Sequence, residues 1–591
     1  MKYMSSAGEY NVEKPGTLVA RAARLAPELR RPFAAAVAVT FVATIIRLLG
    51  PLVIREGIDG GIVAGDRQTI LLAAAVYIGL LGLQYIADGL SQWMVALVGE
   101  RYLVRLRSVV FAKLMRLDAG FYSRSKSGVL VSRMTSDIES LQEFASDGAV
   151  MALSNTLTVV GVAVALGAVD WQMALAVFTV VAVLVGVSAV FQRQARRAYD
   201  QVRERIGRVL AMLQEGITGV RVVQAFTQEQ AQASTFGRVN ERYFEANMAA
   251  ARAISWYFPV VAFLRVVALG SALAIGASRV MDGTMTIGTL VAFLLYLEWF
   301  FQPIINLSNV YNLLQSALAA LAKLFGLMDE PVVIDDRPGA YDLTEPIVGA
   351  VELDAVSFSY DPGTLVLDGV SLKVGAGERL AIVGETGSGK STIAKLIMRF
   401  YDPDAGRVTV DGDDLRDITE RSRVDALALI PQDGFLFSGT LRENIAYSDS
   451  SASDESVWNV LRAMGIDDWV RSLPEGLDTE VRERGGRFSA GERQLVALAR
   501  AFLFDPSIIV LDEATSNLDP ETEVQVEGAL RVLLAGRTSI VIAHRLRSAE
   551  RSDRVVMIDA GRVIAVGTHT ELVESSPRYR ELVEVWQRGT K

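Results

Sequence analysis

Long apolar runs dominate the first half of the chain, and a finer alternation of apolar and polar positions replaces them in the second. A helix crosses a bilayer core with about 20 apolar residues. Six stretches are long enough: 33–54, 70–98, 150–169, 171–191, 256–278 and 286–307. Arg30, Arg31 and Pro32 bound the first, and only Asp170 separates the third from the fourth. The third and fourth, and the fifth and sixth, therefore read as hairpins with short outer loops. The segments between Val98 and Val150 and between Phe191 and Trp256 are long but keep helical periodicity. Long structureless connections are uncommon in compact proteins, so these read as continuations of the spans beyond the bilayer, each pair joined by a short transverse segment. Gly120-Phe121-Tyr122 through Gly128 marks the first turn and Gly216-Ile217-Thr218-Gly219 the second. The plainer alternative is charged helices in water with no contact role.

The pattern changes after the sixth run. Residues 315–328 continue it as an apolar helix, Asp329-Glu330-Pro331 stops it, and Asp335-Asp336-Arg337-Pro338-Gly339 is a polar linker. Val351-Glu352-Leu353 and Val356-Ser357-Phe358-Ser359-Tyr360 then read as strands of a soluble domain.

Charge orients the spans. The two long connections carry Arg101, Arg105, Arg107, Lys113, Arg116, Arg124, Lys126 and Arg133, and Arg193, Arg196, Arg197, Arg203, Arg205 and Arg208. The opposite loops hold only Arg55, Arg67 and Arg279, beside Glu56, Asp59, Asp66, Asp170 and Asp282. Positive loops stay cytoplasmic, which places both termini and the second half there, in a multi-pass protein of the plasma (inner) membrane. Met1 to Lys14 lacks the apolar core of a signal peptide. At 591 residues and 51% hydrophobic, the chain is too long for one domain. Its net charge of −9 argues against nucleic acid as a partner. The absence of cysteine excludes disulfides, cysteine zinc sites and thiol catalysis, and only His544 and His569 offer an imidazole.

Arg47, Asp88, Arg265 and Glu298 are ionisable residues inside spans. Such residues are costly in lipid and usually face a bundle interior or a wet cavity. Arg265 and Glu298 lie well inside their runs and are candidates for a translocation pathway; equally, they can pair as a fixed brace. Arg47 and Asp88 can simply sit near span ends.

The soluble half carries the chemistry. Gly384-Glu385-Thr386-Gly387-Ser388-Gly389-Lys390-Ser391 follows the apolar run Leu380-Ala381-Ile382-Val383 and precedes a helical stretch beginning at Thr392. Strand, glycine loop and helix form the setting of a phosphate-binding loop. Glycines let backbone N–H groups turn inward around an anion, and the helix start adds positive potential. Lys390 then reaches the β- and γ-phosphates of ATP, and Ser391 ligates Mg²⁺. Asp512 ends the run Ile508-Ile509-Val510-Leu511 and suits Mg²⁺; Glu513 is placed to polarise the attacking water. Gln432, after the strand Leu427-Ala428-Leu429-Ile430, can reach either Mg²⁺ or that water. His544 ends Ile540-Val541-Ile542-Ala543 and can contact the γ-phosphate. Tyr360 can stack on adenine. Taken singly, each of these last residues also has an ordinary structural reading.

Together these residues resemble the ATP-binding cassette (ABC) transporter family, specifically half-transporters of the type I exporter architecture, over about residues 20–585. The resemblance implies a multidomain fold: an N-terminal segment over 1–32, an all-α six-helix transmembrane domain over 33–328, a linker over 329–350, and an α/β P-loop nucleotide-binding domain over 351–591. Catalysis would fall to Glu513, His544 and Gln432, with Mg²⁺ at Ser391, Gln432 and Asp512. ATP would contact Tyr360, the loop Gly384, Glu385, Thr386, Gly387, Ser388, Gly389, Lys390 and Ser391, and Thr392. Ser516-Asn517-Leu518-Asp519 corresponds to the D-loop. Thr479 to Gly485 resembles the X-loop, which would meet coupling helices near 121–128 and 216–226. The Leu-Ser-Gly-Gly-Gln signature, which reaches ATP on a partner chain, corresponds to Phe488-Ser489-Ala490-Gly491-Glu492. Here Ala490 adds a methyl where close approach is wanted, and Glu492 places a charge near an anion. One-sided degeneration of this kind is typical of heterodimers in the family, so the expected partner is a second ABC half-transporter, with a homodimer as the alternative. The expected activity is ATP-driven export of an amphipathic or lipidic small molecule through a lipid bilayer. Import through the same architecture and a membrane-anchored regulatory ATPase are the competing readings.

Overall fold

The computed structural model describes residues 14–432, 434–512, 520–543 and 545–589. Two compact units divide the chain. One joins Tyr10–Phe111 to Val131–Met328, and the other joins Ala112–Leu130 to Asp329–Lys591.

Among the described residues, six helices are long and apolar enough to cross a membrane: Pro27–Val63, Arg67–Arg116, Ser127–Val169, Trp171–Thr218, Glu229–Met281 and Ile287–Met328. Each contains one of the six apolar runs. The helices at the long connections overrun the apolar stretches, and short helices at Ala119–Arg124 and Val220–Ala225 turn the chain between them. Leu71, Leu72, Ile78, Ile86, Val164, Phe263 and Val266 stand exposed along the helix flanks. So much contiguous apolar surface is not stable in water, whereas helices that satisfy their own backbone groups suit lipid. Inside the bundle Leu166, Met173, Leu184, Ala268, Phe293 and Tyr296 are buried together.

Three local features differ from the sequence reading. The first span does not stop at Ile54: its helix contains Pro51 and widens into a π-helical Gly57–Val63. Asp59 in that segment accepts from the Gly288 N–H (2.7 Å) and the Thr286 hydroxyl (2.6 Å), fastening it to the start of the sixth span. Asp170 is more than a break. Its carboxylate caps the following helix by accepting from the Gln172 and Met173 N–H groups (3.0 and 2.9 Å), and it also pairs with Arg279. Within the polar N-terminal segment, Pro15–Leu25 is an amphipathic helix with Leu18 buried and the Arg21 guanidinium 4.5 Å above the Phe325 ring.

The other unit holds two main sheets. An antiparallel one orders Leu367–Val374, Val351–Phe358, Ala405–Val410 and Asp413–Asp414. The central sheet contains β1 (Arg379–Val383), β2 (Leu427–Ile430), β3 (Ile508–Asp512), β4 (Thr538–Ile542), β5 (Arg554–Asp559) and β6 (Arg562–Gly567), in the order β6-β5-β1-β4-β3-β2. All neighbours are parallel except β5 and β6. As in buried parallel sheets, β1, β3 and β4 carry short unbroken apolar runs, at 380–383, 508–511 and 540–542, rather than an alternating pattern. Leu380, Ala381, Ile382 and Val383 are all fully buried.

Candidate functional site

β1 delivers the chain into the glycine loop, and the helix Lys390–Ile397 leaves it. Two glycines are required by geometry. Gly384 has φ +150°, and a Cβ there would lie 2.1 Å from the Ile558 carbonyl oxygen; Gly389 has φ +108°, and its Cβ would meet the Leu367 side chain at 2.6 Å. Lys390 is buried, and its ammonium donates to the carbonyls of Gly384 (2.8 Å) and Glu385 (2.7 Å). The Ser388 hydroxyl is buried without a partner, and no side chain caps the helix start. Glu385, Thr386, Gly387 and Ser391 are exposed. An unpartnered hydroxyl, an uncapped helix start and a loop with no room for a Cβ at Gly384 or Gly389 fit a phosphate group.

Strand register brings the other sequence motifs to the same edge of the sheet. Ile542 is level with Ile382 on one side and Asp512 on the other, and Leu511 is level with Ile430. Asp512 is half-buried at the end of β3, and Gln432 is exposed just beyond β2. The Ala543 N–H donates to the Ile382 carbonyl at 3.0 Å, so β4 continues beside β1 to the residue before His544. Carboxyl ends of parallel strands are where open α/β sheets bind ligands. Glu513, the Ser516-Asn517-Leu518-Asp519 segment and His544 lie outside the described residues. Among the described residues no three His, Asp or Glu side chains group into a metal site. Ser391, Gln432 and Asp512 remain the expected Mg²⁺ ligands, and phosphate oxygens and water would complete the shell of an ion that prefers few protein ligands.

Tyr360 packs edge-on against Phe358 (centroids 5.0 Å) and Tyr401 (5.3 Å). Its hydroxyl lies 3.1 Å from the Thr392 hydroxyl, and the Lys395 ammonium sits 5.3 Å from its ring centre. Tyr401 in turn donates to Ser123 Oγ at 3.3 Å, and a Cβ on Gly120 would meet its ring at 3.1 Å. The turn Ala119–Arg124 is capped by Asp118, which accepts from the Phe121 N–H at 2.9 Å, and Arg116 pairs with Asp335 at 3.2 Å. Ser123, Lys395 and Tyr401 were not singled out by sequence, because their contacts join segments far apart in the chain.

Ser489 caps the helix Ala490–Phe504 in a reciprocal box. The Ser489 N–H donates to Glu492 Oε2 (2.7 Å), and the Glu492 N–H donates to Ser489 Oγ (3.2 Å). The Trp469 indole N–H donates to Glu492 Oε1 at 3.0 Å. Both carboxylate oxygens are thus engaged. Ala490 and Gly491 form the first turn, with Gly491 buried.

Arg265 and Glu298 belong to the spanning unit. Arg265 Nη1 lies 3.1 Å from Glu298 Oε1, with side chains 52% and 47% exposed. Both line a cavity of about 890 Å³, which Tyr77, Gln84, Asn155, Phe258 and Trp299 also line. Arg47 lines it too, and pairs with Asp88 at 3.1 Å.

Known proteins resemble the chain throughout. The ABC transporter transmembrane region family matches residues 33–304, and the ABC transporter family matches 367–516. An uncharacterised ABC transporter ATP-binding protein of Bacillus subtilis is 37% identical over 92% of this chain and 90% of its own length. An ATP-dependent lipid A-core flippase of Thiobacillus denitrificans is 36% identical over 90% of this chain and 92% of its own. The structure of a bacterial Atm1-family ABC exporter with ATP bound matches with a TM-score of 0.79 at 29% identity, over 95% of this chain and 99% of that one.

Proposed function

The chain belongs to the ABC transporter family, and from that premise we propose that it exports an amphipathic, lipid-like or drug-like molecule as one half of a heterodimer. As an exporter half-transporter it couples ATP hydrolysis to transport and works as a dimer in the membrane. One observation carries the substrate class: the 890 Å³ cavity combines aromatic walls with the Arg265–Glu298 pair. Such a cavity offers apolar contact to a tail and hydrogen bonds to a head. The flippase relative handles a molecule of that kind by its name.

In this reading the nucleotide-binding unit faces the cytoplasm of an inner-membrane protein. Lys390 and the glycine-loop amides hold the phosphates, Tyr360 borders the base, and Glu513 orients the attacking water. Gln432 and His544 complete the γ-phosphate shell. Mg²⁺ at Ser391, Asp512 and Gln432 would offset phosphate charge. Ser489 and Gly491 turn toward ATP on the partner chain.

The heterodimer rests on Ala490 and Glu492, which weaken the signature that this chain offers its partner. A homodimer is the second reading, and the capping box favours it: Glu492 is held by Ser489 and Trp469, so its charge is not loose at the nucleotide.

The test is flip or efflux of a fluorescent phospholipid in proteoliposomes, with this chain alone and with the second half-transporter. Lys390→Ala should lower ATP-driven movement and ATPase at least a hundredfold; undiminished movement would refute the reading. Full activity of this chain alone would decide for the homodimer.

A further inference from the structure

Beside Tyr360 lies a cavity of about 320 Å³ that phosphate binding does not use. Tyr360, Tyr401 and Lys395 line it, and so does Ser123 from the turn Ala119–Arg124. Its volume is at the lower end of ligand-holding cavities, roughly 300–1,000 Å³. Thr392 and Lys395 set it against the phosphate loop. The Tyr360 hydroxyl is 3.1 Å from the Thr392 hydroxyl, in the first turn of the helix that leaves the loop. Lys395, about one turn further on, holds its ammonium 5.3 Å from the centre of the Tyr360 ring. In the nucleotide reading above, on which this inference rests, the base meets that ring.

The ring does not stand alone. Phe358, Tyr360 and Tyr401 form a closed set of three, each edge-on to the others, with centroids 5.0 Å apart for Phe358 and Tyr360 and 5.3 Å for the other two pairs. Phe358 and Tyr401 are buried, and so close-packed a set passes a displacement of one ring to the next. Tyr401 is also where the turn is held. Its hydroxyl is 3.3 Å from Ser123 Oγ, and Gly120 makes room for its ring, since a Cβ there would approach to 3.1 Å. The polar ties nearby are lighter. The Val333 N–H reaches Asp118 at 3.4 Å, and the Arg116–Asp335 pair is exposed, where such pairs contribute little. Along the chain the turn lies between the spanning helices Arg67–Arg116 and Ser127–Val169.

The geometry points to Tyr401 as a positioning residue through which this turn senses the base of the bound nucleotide. A base stacked on Tyr360 fixes that ring, the fixed ring confines Tyr401, and Tyr401 holds Gly120 and Ser123. A triphosphate without a base fills the loop but leaves Tyr360 uncovered and the turn as it was. Occupancy of the base site is thus passed to a segment between two spanning helices. Linkage makes the effect reciprocal: an ordered turn favours the base in return.

The test is hydrogen–deuterium exchange on the full-length protein in nanodiscs, in EDTA to prevent turnover, with no nucleotide, with ATP, and with tripolyphosphate, which lacks the base. Both ligands at saturation should protect the loop 384–391. ATP alone should slow exchange across 119–124, at least fivefold, with tripolyphosphate leaving it within twofold of the nucleotide-free rate. Tyr401→Leu should keep the loop protection and lose the slowing at the turn, and Tyr401→Phe, which keeps the ring, should retain at least a threefold slowing. A merely structural role would change the nucleotide-free rate but not make the turn respond to the base. Equal slowing by the two ligands overturns the inference, as does full slowing in Tyr401→Leu. The comparison of ligands on the unmodified protein needs no variant to fold. Loop protection by ATP without any at the turn overturns this inference alone, whereas no loop protection overturns the nucleotide reading beneath it as well.

Discussion

A carboxylate stands at position 492 where the family resemblance has an amide, and its surroundings decide what that charge does. The Ser489 backbone N–H and the Trp469 indole each donate to one oxygen of Glu492. The residue therefore serves the start of its own helix, and two donors offset its charge before any phosphate approaches. Reciprocal caps are worth about 0.5–2 kcal/mol, and a lost indole acceptor adds a similar order. Glu492→Ala should accordingly lower the unfolding midpoint of the nucleotide-binding transition by about 2–4 °C per kcal/mol lost. Glu492→Gln retains one acceptor oxygen and should lower it by roughly half as much. Calorimetry of the full chain checks this, and an unchanged midpoint in Glu492→Ala would show the box to be idle. The sequence reading took Glu492 only as an electrostatic penalty, and the indole donor that offsets it comes from residue 469, outside any local pattern.

The phosphate loop is the element whose sequence says most. An apolar run, a glycine loop and a helical stretch are all local signals, and strand β1, the loop and helix Lys390–Ile397 follow them closely. The other central strands that end in chemistry, β2, β3 and β4, were legible for the same reason: buried parallel strands are uninterrupted apolar runs. What the sequence does not show is which glycines are fixed by neighbours and which by backbone angle alone. A Cβ on Gly384 collides with the Ile558 carbonyl at 2.1 Å, whereas one on Gly387 meets nothing within 4 Å, although φ is +85° there. Gly387→Ala should thus cost about 1–2 kcal/mol of left-handed strain and leave ATP binding within about tenfold. Gly384→Ala must displace the loop or β5 and should abolish measurable binding. Fluorescent-nucleotide titration orders the two, and equal losses would show that strain rather than collision governs the loop. Tertiary ties were the illegible part: Asp59 reaching Gly288, and Tyr401 reaching Ser123, connect segments with no shared local pattern.

Across the whole molecule, the six apolar runs are plain in the sequence, yet the purpose of the charges within them is not. Arg265 and Glu298 meet at 3.1 Å in the wall of the 890 Å³ cavity, and each side chain is about half exposed. A brace between helices and a cargo-reading pair both require that contact, but they respond differently to neutralisation. Exposed pairs are worth about 0.2–1 kcal/mol, so releasing Arg265 from its partner changes the binding of an anionic head by at most about fivefold. If the pair reads cargo, Glu298→Gln should lower the half-saturating concentration of an anionic amphiphile in stimulated ATPase two- to fivefold. Arg265→Gln should raise it, and neither should move the response to a cationic amphiphile in the same direction. The double variant should then respond like Arg265→Gln alone, because the charge that Glu298 restrains is gone. If the pair is a brace, both single variants should lower thermal stability, leave both half-saturation values in place, and recover part of the loss when combined. The two patterns share no outcome, so one titration series on the reconstituted transporter decides whether the charges inside the bundle hold the helices together or take hold of what passes between them.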